Sequence, residues 1–239
     1  MLYKYAHKND YSDLASGKVI YSIPGSSAFP LRLMSEIFQL CLEFIPRKDK
    51  FTIYDPCCGS AYHLTGLAFM LPDKINKIIC SDINNDIIYK AGMNLSLLSA
   101  VGIDKRISEI NELIQKFDKD SHKEALGSAK RLKDIIQGQT INTVAYIDNI
   151  LNSDLKKLNN EIVDIIFADI PYENLEKWQS NPTGKDEVRI MLENLLRIAT
   201  KDNVIVIAST KKQKIVHEKY RQVKKLTAGK RKISFLKLI

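Results

Sequence analysis

The stretch FTIYDPCCGSAYHLTGLAFML at residues 51–71 decides the fold. Its first part, FTIYDP (51–56), is a short apolar run that meets a turn, which is typical of a β-strand. Its last part, AYHLTGLAFML (61–71), predicts a helix that ends at Pro72. Between them Gly59 lets the backbone approach a ligand closely, and the helix N-terminus offers N–H donors. The stretch therefore predicts a strand–turn–helix unit of the kind that binds nucleotides.

Strand and helix patterns alternate on both sides of this unit. This alternation indicates βαβ units and a mainly parallel sheet, and the near-continuous apolar runs fit strands covered on both faces. The predicted strands are 77–80, 143–150, 163–172 and 203–209, and the predicted helices are 31–45, 84–102, two within 104–137, and 186–200.

Two basic strands, KYRQVKKL (219–226) and RKISFLKLI (231–239), flank a short Thr-Ala-Gly turn and predict a hairpin. We therefore expect one α/β domain over 1–239. It would be a doubly wound, mainly parallel, seven-stranded Rossmann-like sheet with a C-terminal antiparallel hairpin. Its predicted parts are an N-terminal arm and helix at 1–50, a helical insertion at 104–137 and a basic hairpin at 211–239.

The positive charge of the chain is concentrated near its C-terminal end. The chain has 36 Lys and Arg against 28 Asp and Glu, a net charge of +8. Residues 211–239 hold eleven of the basic residues and a single acid, Glu218. Such a run is either a solvated surface or a contact for a polyanion, and charge alone does not separate these alternatives.

Several classes of protein are excluded by composition. No segment approaches 18 consecutive apolar residues, and MLYKYAHKND (1–10) has no apolar core of a signal peptide, so a cytoplasmic protein without a membrane partner is expected. The spacing of the cysteines suits no zinc site, and the four histidines are scattered. We therefore predict reduced thiols and no metal.

Acidic residues follow successive predicted strands. Asp55, Asp82, Asp148 and Asp169 each stand where a strand ends. In parallel sheets ligands bind at the carboxyl ends of the strands, and a carboxylate there can accept from both hydroxyls of a ribose. For Asp82 and Asp148 the alternative is a helix cap.

The sharpest signal is Asp169-Ile170-Pro171-Tyr172 after the fourth strand. A carboxylate and the carbonyl before a proline can both accept from an exocyclic amino group, and the tyrosine can stack on a base. The alternative is an acid and a proline turn with a packed ring. Because an acid also ends each preceding strand, we favour a functional site.

Together these motifs resemble a known class of enzymes. DPCCGSAY (55–62), SDI (81–83) and ADIPY (168–172) resemble class I S-adenosylmethionine-dependent methyltransferases that methylate amino groups. PGSSAFPLRLMSEIFQ (24–39) followed by DPCCGSAYHLTGL is similar to the avilamycin-resistance rRNA methyltransferases. That resemblance implies S-adenosylmethionine as cofactor and methylation of guanine N2 in large-subunit (23S) rRNA, with resistance to a ribosome-targeting antibiotic.

The resemblance also implies roles for individual residues. Asp169, Ile170, Pro171 and Tyr172 would form the target-base site. Asp82 would hold the ribose, Asp148 would lie near the adenine, and Phe29, Pro30 and Arg32 would lie over the cofactor. The full expected cofactor set is Phe29, Arg32, Asp55, Pro56, Cys57, Cys58, Gly59, Ala61, Tyr62, Asp82, Ile83, Asp148 and Asn149.

Two residues depart from the motifs of the class. Ala61 replaces the last glycine of the cofactor turn, so we expect its methyl group to approach the ligand. Ile170 stands where the wider class has its first proline, and an aliphatic residue there fits guanine better than adenine.

The basic hairpin is then the expected RNA contact, and binding through it would depend on salt. The partner would be rRNA or a ribosomal particle, and we expect a monomer. Two alternatives stay open, namely methylation of adenine N6 or a protein glutamine, and a nucleotide-binding module without catalysis. The predicted RNA contacts are Lys211, Lys212, Lys214, Lys219, Arg221, Lys224, Lys225, Lys230, Arg231 and Lys232.

Overall fold

A computed structural model of the chain describes residues 3–24, 28–170 and 186–239. The helices are α1 (Leu31–Cys41), α2 (Tyr62–Met70), α3 (Asn85–Ser96), α4 (Ala100–Phe117), α5 (Asp120–Ile136) and α6 (Glu187–Leu195). The strands are β1 (Phe51–Asp55), β2 (Ile75–Asp82), β3 (Asn142–Ile147), β4 (Ile165–Asp169), β5 (Val204–Thr210), β6 (Tyr220–Ala228) and β7 (Arg231–Leu238). Within the described ranges, no helix has the length and apolar character needed to cross a membrane.

The strands form one sheet in the order β3-β2-β1-β4-β5-β7-β6. The first five run parallel to one another, and β7 is antiparallel to both β5 and β6. This confirms the predicted doubly wound sheet and its C-terminal hairpin. The order reverses between β1 and β4, where parallel sheets place their ligand crevice.

Both faces of the sheet are covered, which explains the apolar runs in the sequence. Along β4, Ile165 and Phe167 pack on the face that carries α1 to α5, whereas Ile166 and Ala168 pack on the face that carries α6. The same alternation runs along β5. Because neighbouring side chains of a strand point to opposite faces, a strand buried on both sides needs apolar residues at every position.

The helix boundaries between β2 and β3 differ from the prediction. The expected helix 84–102 is two helices, because α3 ends at Ser96 and Ser99 caps α4 by accepting from the Gly102 N–H at 3.1 Å. A β-carbon on Gly102 would lie 1.9 Å from the Ser96 carbonyl oxygen. The glycine thus permits the tight corner between α3 and α4, rather than ending α3 as its position suggested.

The N-terminal arm is fastened to α1 by a buried carboxylate. Glu36 is 1% exposed and accepts from the backbone N–H groups of Lys4, Tyr5 and Ala6 at 2.7 to 2.8 Å. Arg32, one turn earlier on α1, donates to the Ala6 carbonyl at 3.0 Å. The arm therefore lies along α1.

A second point of attachment joins the arm to the turn after β1. The side chain of Asn94, fully buried on α3, accepts from the Tyr21 N–H at 2.7 Å and donates to the Tyr21 carbonyl at 3.1 Å. It also donates to the Ser60 carbonyl at 2.9 Å. Through Asn94, the arm is thus fixed at Tyr21 near the turn that the sequence singled out.

Candidate active site

Three of the predicted acids meet at the carboxyl edge of the sheet. Asp55, Asp82 and Asp169 end β1, β2 and β4. The half-buried thiol of Cys57 lies among them. Its pKa is raised well above the usual value, chiefly by burial and then by the negative charges of these three carboxylates. The edge is therefore acidic, and it suits a ligand that carries positive charge.

The turn after β1 is held by backbone hydrogen bonds to both neighbouring strand ends. The Cys57 N–H donates to Asp55 at 2.8 Å, the Cys58 N–H to the Ser81 carbonyl at 3.1 Å, and the Gly59 N–H to Asp82 at 3.1 Å. Gly59 has φ of +53°, and a β-carbon added there would meet no atom within 4 Å. The turn is thus a rigid cradle with open space at its glycine.

Asp55 has a partner that the sequence reading missed. Its second carboxylate oxygen lies 2.7 Å from Nε2 of His63, and both side chains are buried. The His63 ring also packs against Phe29 and Phe167, with ring centres 5.8 and 5.1 Å away. Both oxygens of Asp55 therefore make bonds within the protein, and the residue shapes the turn. No local pattern indicates this pair, because Asp55 ends β1 and His63 lies on α2 beyond the turn.

Ala61 has a left-handed backbone conformation. Its φ is +54°, a region that favours glycine, and the residue is fully buried in the core on the α1 side. The methyl group therefore packs inside the protein, and the contact of Ala61 with a ligand stays a prediction. The cost of the alanine is backbone strain of about 1 kcal/mol.

The sequence left open whether Asp82 caps the helix that follows β2, and the structure gives that role to Asn84. Asn84 caps α3 by accepting from the N–H groups of Asp86 and Ile87. Asp82 is not the cap, and its two oxygens accept from the N–H groups of Gly59 and Asn84 at 3.1 Å. Burial raises the pKa of the Asp82 carboxyl. The hydrogen bonds from backbone N–H groups lower it, but by less than burial raises it.

The end of β3 carries Asp148 and Asn149 beside Asp82. The Asp148 N–H donates to the Asp82 carbonyl at 3.0 Å, and its carboxylate accepts from the Ser153 hydroxyl at 2.5 Å. The side chain of Asn149 accepts from the Leu151 N–H at 3.0 Å, so it closes a turn and does not cap a helix. Exposed apolar side chains lie next to them, with Ile83 at 38% and Ile147 at 51% exposure.

The end of β4 is described as far as Ile170. Asp169 is half-buried at the edge, while Ile170 packs into the core on the α6 side and donates its N–H to the Ala208 carbonyl at 3.1 Å. The predicted roles of Pro171 and Tyr172 lie outside the described residues.

Two of the three residues expected over the cofactor, Phe29 and Arg32, have different surroundings. Phe29 is buried against Phe167, with ring centres 5.4 Å apart, and so lies beside the acidic edge. Arg32 points to the N-terminal arm, where its guanidinium carbon lies 4.0 Å from the centre of the Tyr3 ring. A contact of Arg32 with a cofactor stays a prediction.

The predicted RNA contacts occupy both edges of the sheet. Thr210 pairs with Arg231, and Ala228 pairs with Arg231 from the other side, so the hairpin turn lies at the carboxyl edge. Tyr220 pairs with Leu238, so the start of β6 lies at the opposite edge. Exposed Lys211, Lys212, Lys214 and Lys230 belong to the first group, whereas exposed Lys219 and Arg221 belong to the second.

Two lysines of the predicted RNA surface are engaged within the protein. Lys232 is 8% exposed, donates to the Gln213 carbonyl, and has a pKa lowered by burial. Lys224 is half-buried and pairs with Glu43 at 3.0 Å. Alternate residues of a strand face opposite sides, so part of every basic strand must point inward. We therefore leave Lys232 and Lys224 out of the candidate RNA surface.

One cluster in the described part of the chain has the spacing of a metal site. Ligand atoms of Glu193, His217 and Glu218 lie within 4.8 Å of one another. However, Nδ1 of His217 accepts from the Lys219 N–H, and Nε2 lies 2.9 Å from Glu193, so both ring nitrogens have partners within the protein. The prediction of no metal stays a prediction.

The sheet order and acidic carboxyl edge are accompanied by similarity to RNA-modifying methyltransferases. The family described as rRNA methyltransferase AviRa matches residues 1–231. A Streptomyces viridochromogenes protein named 23S rRNA (guanine(2535)-N(1))-methyltransferase is 31% identical over 228 residues, which are 93% of this chain and 90% of that protein.

Solved structures agree with this similarity. The rRNA methyltransferase AviRa from Streptomyces viridochromogenes at 1.5 Å has a TM-score of 0.88 and 29% identity, covering 99% of this chain and 96% of that one. A putative methyltransferase, yhhF from Escherichia coli, has a TM-score of 0.51 and 13% identity over 91% of this chain and 90% of its own, which supports the fold alone.

These comparisons define the chain as a methyltransferase of the RNA-modifying class. It belongs to the rRNA methyltransferase AviRa family. The resemblance stated from the sequence is confirmed, and so is S-adenosylmethionine as the cofactor of the class.

Proposed function

We propose that this protein transfers a methyl group from S-adenosylmethionine to a guanine of 23S rRNA, at ring nitrogen N1. The single observation that supports the site is the meeting of Asp55, Asp82 and Asp169 at the carboxyl edge around Cys57. The rRNA target rests on the family, and the guanine and its N1 rest on the name of the Streptomyces viridochromogenes relative.

The described residues fit the cofactor. The open space at Gly59 admits the chain of the ligand close to the backbone, and Asp82 could accept from its ribose hydroxyls. The exposed side chains of Ile83 and Ile147 offer apolar contact for an adenine. When bound, the cofactor supplies an electrophilic methyl group on a sulfonium. The negative edge would stabilise this positive charge and so favour binding.

Asp169 would act on the target base. Guanine N1 carries a proton, and its lone pair is conjugated with the neighbouring carbonyl. The methyl group that the cofactor would supply would form the new bond to N1, and the electron pair of the broken S–CH₃ bond would leave with the cofactor. The N1 proton must leave to give a neutral base. The carboxylate of Asp169 would accept that proton and pass it to water, which is general-base catalysis.

Two nitrogens of guanine, N1 and N2, are candidates for the methyl group. The sequence resemblance implied the exocyclic N2, where Asp169 and the Ile170 carbonyl would accept from the amino group. The name of the Streptomyces viridochromogenes relative specifies N1 instead. Both atoms lie on the same edge of guanine, so one pocket could present either to the methyl group.

Labelled methyl transfer separates these outcomes. Unmodified 23S rRNA transcript and intact large subunits would be incubated with the protein and methyl-labelled cofactor. Digestion to nucleosides and mass spectrometry would identify the product. We expect 1-methylguanosine. A product of 2-methylguanosine would retain the enzyme class and overturn N1, whereas label in adenine or protein would overturn the guanine target.

The Asp169→Asn variant tests the catalytic assignment. It keeps the size of the side chain and removes the proton acceptor, so we expect methyl transfer to fall by roughly 100-fold or more. Cofactor affinity, measured by calorimetry, should stay within about twofold. Turnover equal to that of the unaltered protein would exclude Asp169 as the base. Drug susceptibility of cells that express either form would test the predicted antibiotic resistance.

A further inference from the structure

Arg231 lies at the acidic edge, although the sequence grouped it with the RNA-binding hairpin. It is the first residue of β7 and pairs with Thr210, the last residue of β5. On the other side of β5, Asp169 pairs with Ala208. Arg231 begins β7 and Asp169 ends β4, but the two strands run in opposite directions. Both residues therefore lie at the carboxyl edge of the sheet, with only β5 between their strands.

Arg231 also points to the same face of the sheet as Asp169. Its guanidinium carbon lies 5.2 Å from the centre of the buried Phe29 ring, and that ring packs on Phe167, two residues before Asp169. Strand alternation also places Arg231 on this face. Alternate residues of a strand share a face, and Ile233 and Phe235 of β7 pack with Phe29 and Phe167 in one core. The side chain is half-buried, unlike that of exposed Lys230 beside it.

A guanidinium in this position matches the chemistry of guanine. Arginine donates to O6 and N7 of guanine through two parallel hydrogen bonds, whereas adenine presents an amino group in place of O6. A contact on that edge leaves N1 and N2 free to face the methyl donor. When N1 loses its proton, the negative charge is shared with O6, and a positive donor there stabilises it.

We propose that Arg231 is a specificity-determining residue that binds O6 of the target guanine and favours loss of the N1 proton. Lys230, Lys211 and Lys212 contact phosphates, whereas Arg231 contacts the reacting base. This inference rests on the proposed function and adds a residue from the hairpin to the target-base site.

The test compares Arg231→Gln and Arg231→Lys with Lys230→Gln, the exposed neighbour. Single-turnover rates on saturating 23S rRNA transcript would be measured from pH 6.5 to 9. For Arg231→Gln we expect a rate lower by roughly 10- to 100-fold at neutral pH. The deficit should shrink as pH rises, because solvent then removes the N1 proton more readily. Arg231→Lys keeps the charge and should recover part of the rate.

Lys230→Gln should show the opposite pattern. Its main effect should be on RNA affinity, whose slope against salt falls by about 0.7 to 0.9, and any loss of rate should be the same at every pH. If Arg231→Gln behaves like Lys230→Gln, Arg231 is a phosphate contact and the inference fails. A deficit that is constant with pH and accompanied by weaker cofactor binding also overturns it, since that indicates a structural role.

Failure of the proposed function would look different. In that case the unaltered protein itself would transfer no methyl to guanine in the same 23S transcript. Thermal unfolding of each variant accompanies the rates. If Arg231→Gln does not fold, the comparison passes to Arg231→Lys, whose lysine lacks the fork needed for two parallel bonds. A normal rate and pH profile for the folded Arg231→Lys variant would then overturn the role of the fork.

Discussion

At the scale of single residues, Asp82 links the chemistry of the site to pH. Burial raises the pKa of its carboxyl, and in the proposed role it must be ionised to accept from both ribose hydroxyls. As pH falls through this raised pKa, the carboxyl gains a proton and loses acceptor capacity. Cofactor affinity should therefore decline at a higher pH than an ordinary aspartate would produce.

Calorimetric titration of the cofactor from pH 7.5 to 4.5 checks this expectation. Asp82→Asn should bind roughly 10-fold more weakly at neutral pH and show little further loss in acid, since the amide does not titrate. Asp86→Asn removes an exposed carboxylate from the first turn of α3 and serves as the matched control. An acid response that persists in Asp82→Asn would assign it to another group.

The site also shows what sequence can and cannot reveal. Asp55, Asp82 and Asp169 could be predicted because each follows an apolar strand, and parallel strands bring their ends together. The Asp55–His63 pair and the position of Arg231 could not be derived in this way. They depend on how a helix and an antiparallel strand pack over the edge, which is a property of tertiary contacts. Charge alone grouped Arg231 with the exposed lysines.

At the scale of elements, the hairpin places its exposed cations at two opposite edges. In the proposed role of Asp169, RNA bound for methyl transfer approaches the carboxyl edge, where that residue lies. We therefore expect Lys211→Gln/Lys212→Gln to weaken binding of 23S rRNA fragments and to lower the salt slope by about 1 to 2. The matched variant Lys219→Gln/Arg221→Gln removes the same charge from the far edge and should leave both quantities unchanged.

Filter binding of RNA between 50 and 200 mM salt provides the measurement. Equal losses in the two double variants would mean that the RNA wraps both edges or binds by net charge alone. That outcome would remove the basis for choosing the carboxyl edge as the RNA surface.

At the scale of the whole molecule, the N-terminal arm joins parts that are distant in sequence. The buried Glu36 holds the arm to α1, Asn94 holds it to the turn after β1, and Arg131 pairs with Asp13. Composition indicated only an extended arm, because these contacts come from residues 30 to 118 positions away. The strands themselves, by contrast, could be predicted from alternating patterns that are local, whereas their order in the sheet depends on tertiary contacts.

Replacement of Glu36 should therefore affect global stability. Glu36→Gln turns one acceptor oxygen into a donor that faces backbone N–H groups, so we expect the free energy of unfolding to fall by about 2 kcal/mol. Urea denaturation measures the change. Glu112→Gln on the exposed side of α4 should alter it by less than about 0.5 kcal/mol. Equal stability of the two variants would show that the arm contributes little.

The placement of every proposed contact on one edge of the sheet has a practical consequence. The other edge, which carries Phe51 and Val204 at the beginnings of their strands, is the side from which the enzyme could be held without hindering its substrate. The Asp49→Cys variant would place a thiol at this exposed position near Phe51, and a thiol-directed surface anchor there would leave the carboxyl edge facing outward. An enzyme immobilised in this way could be exposed to successive ribosomal particles and recovered afterwards.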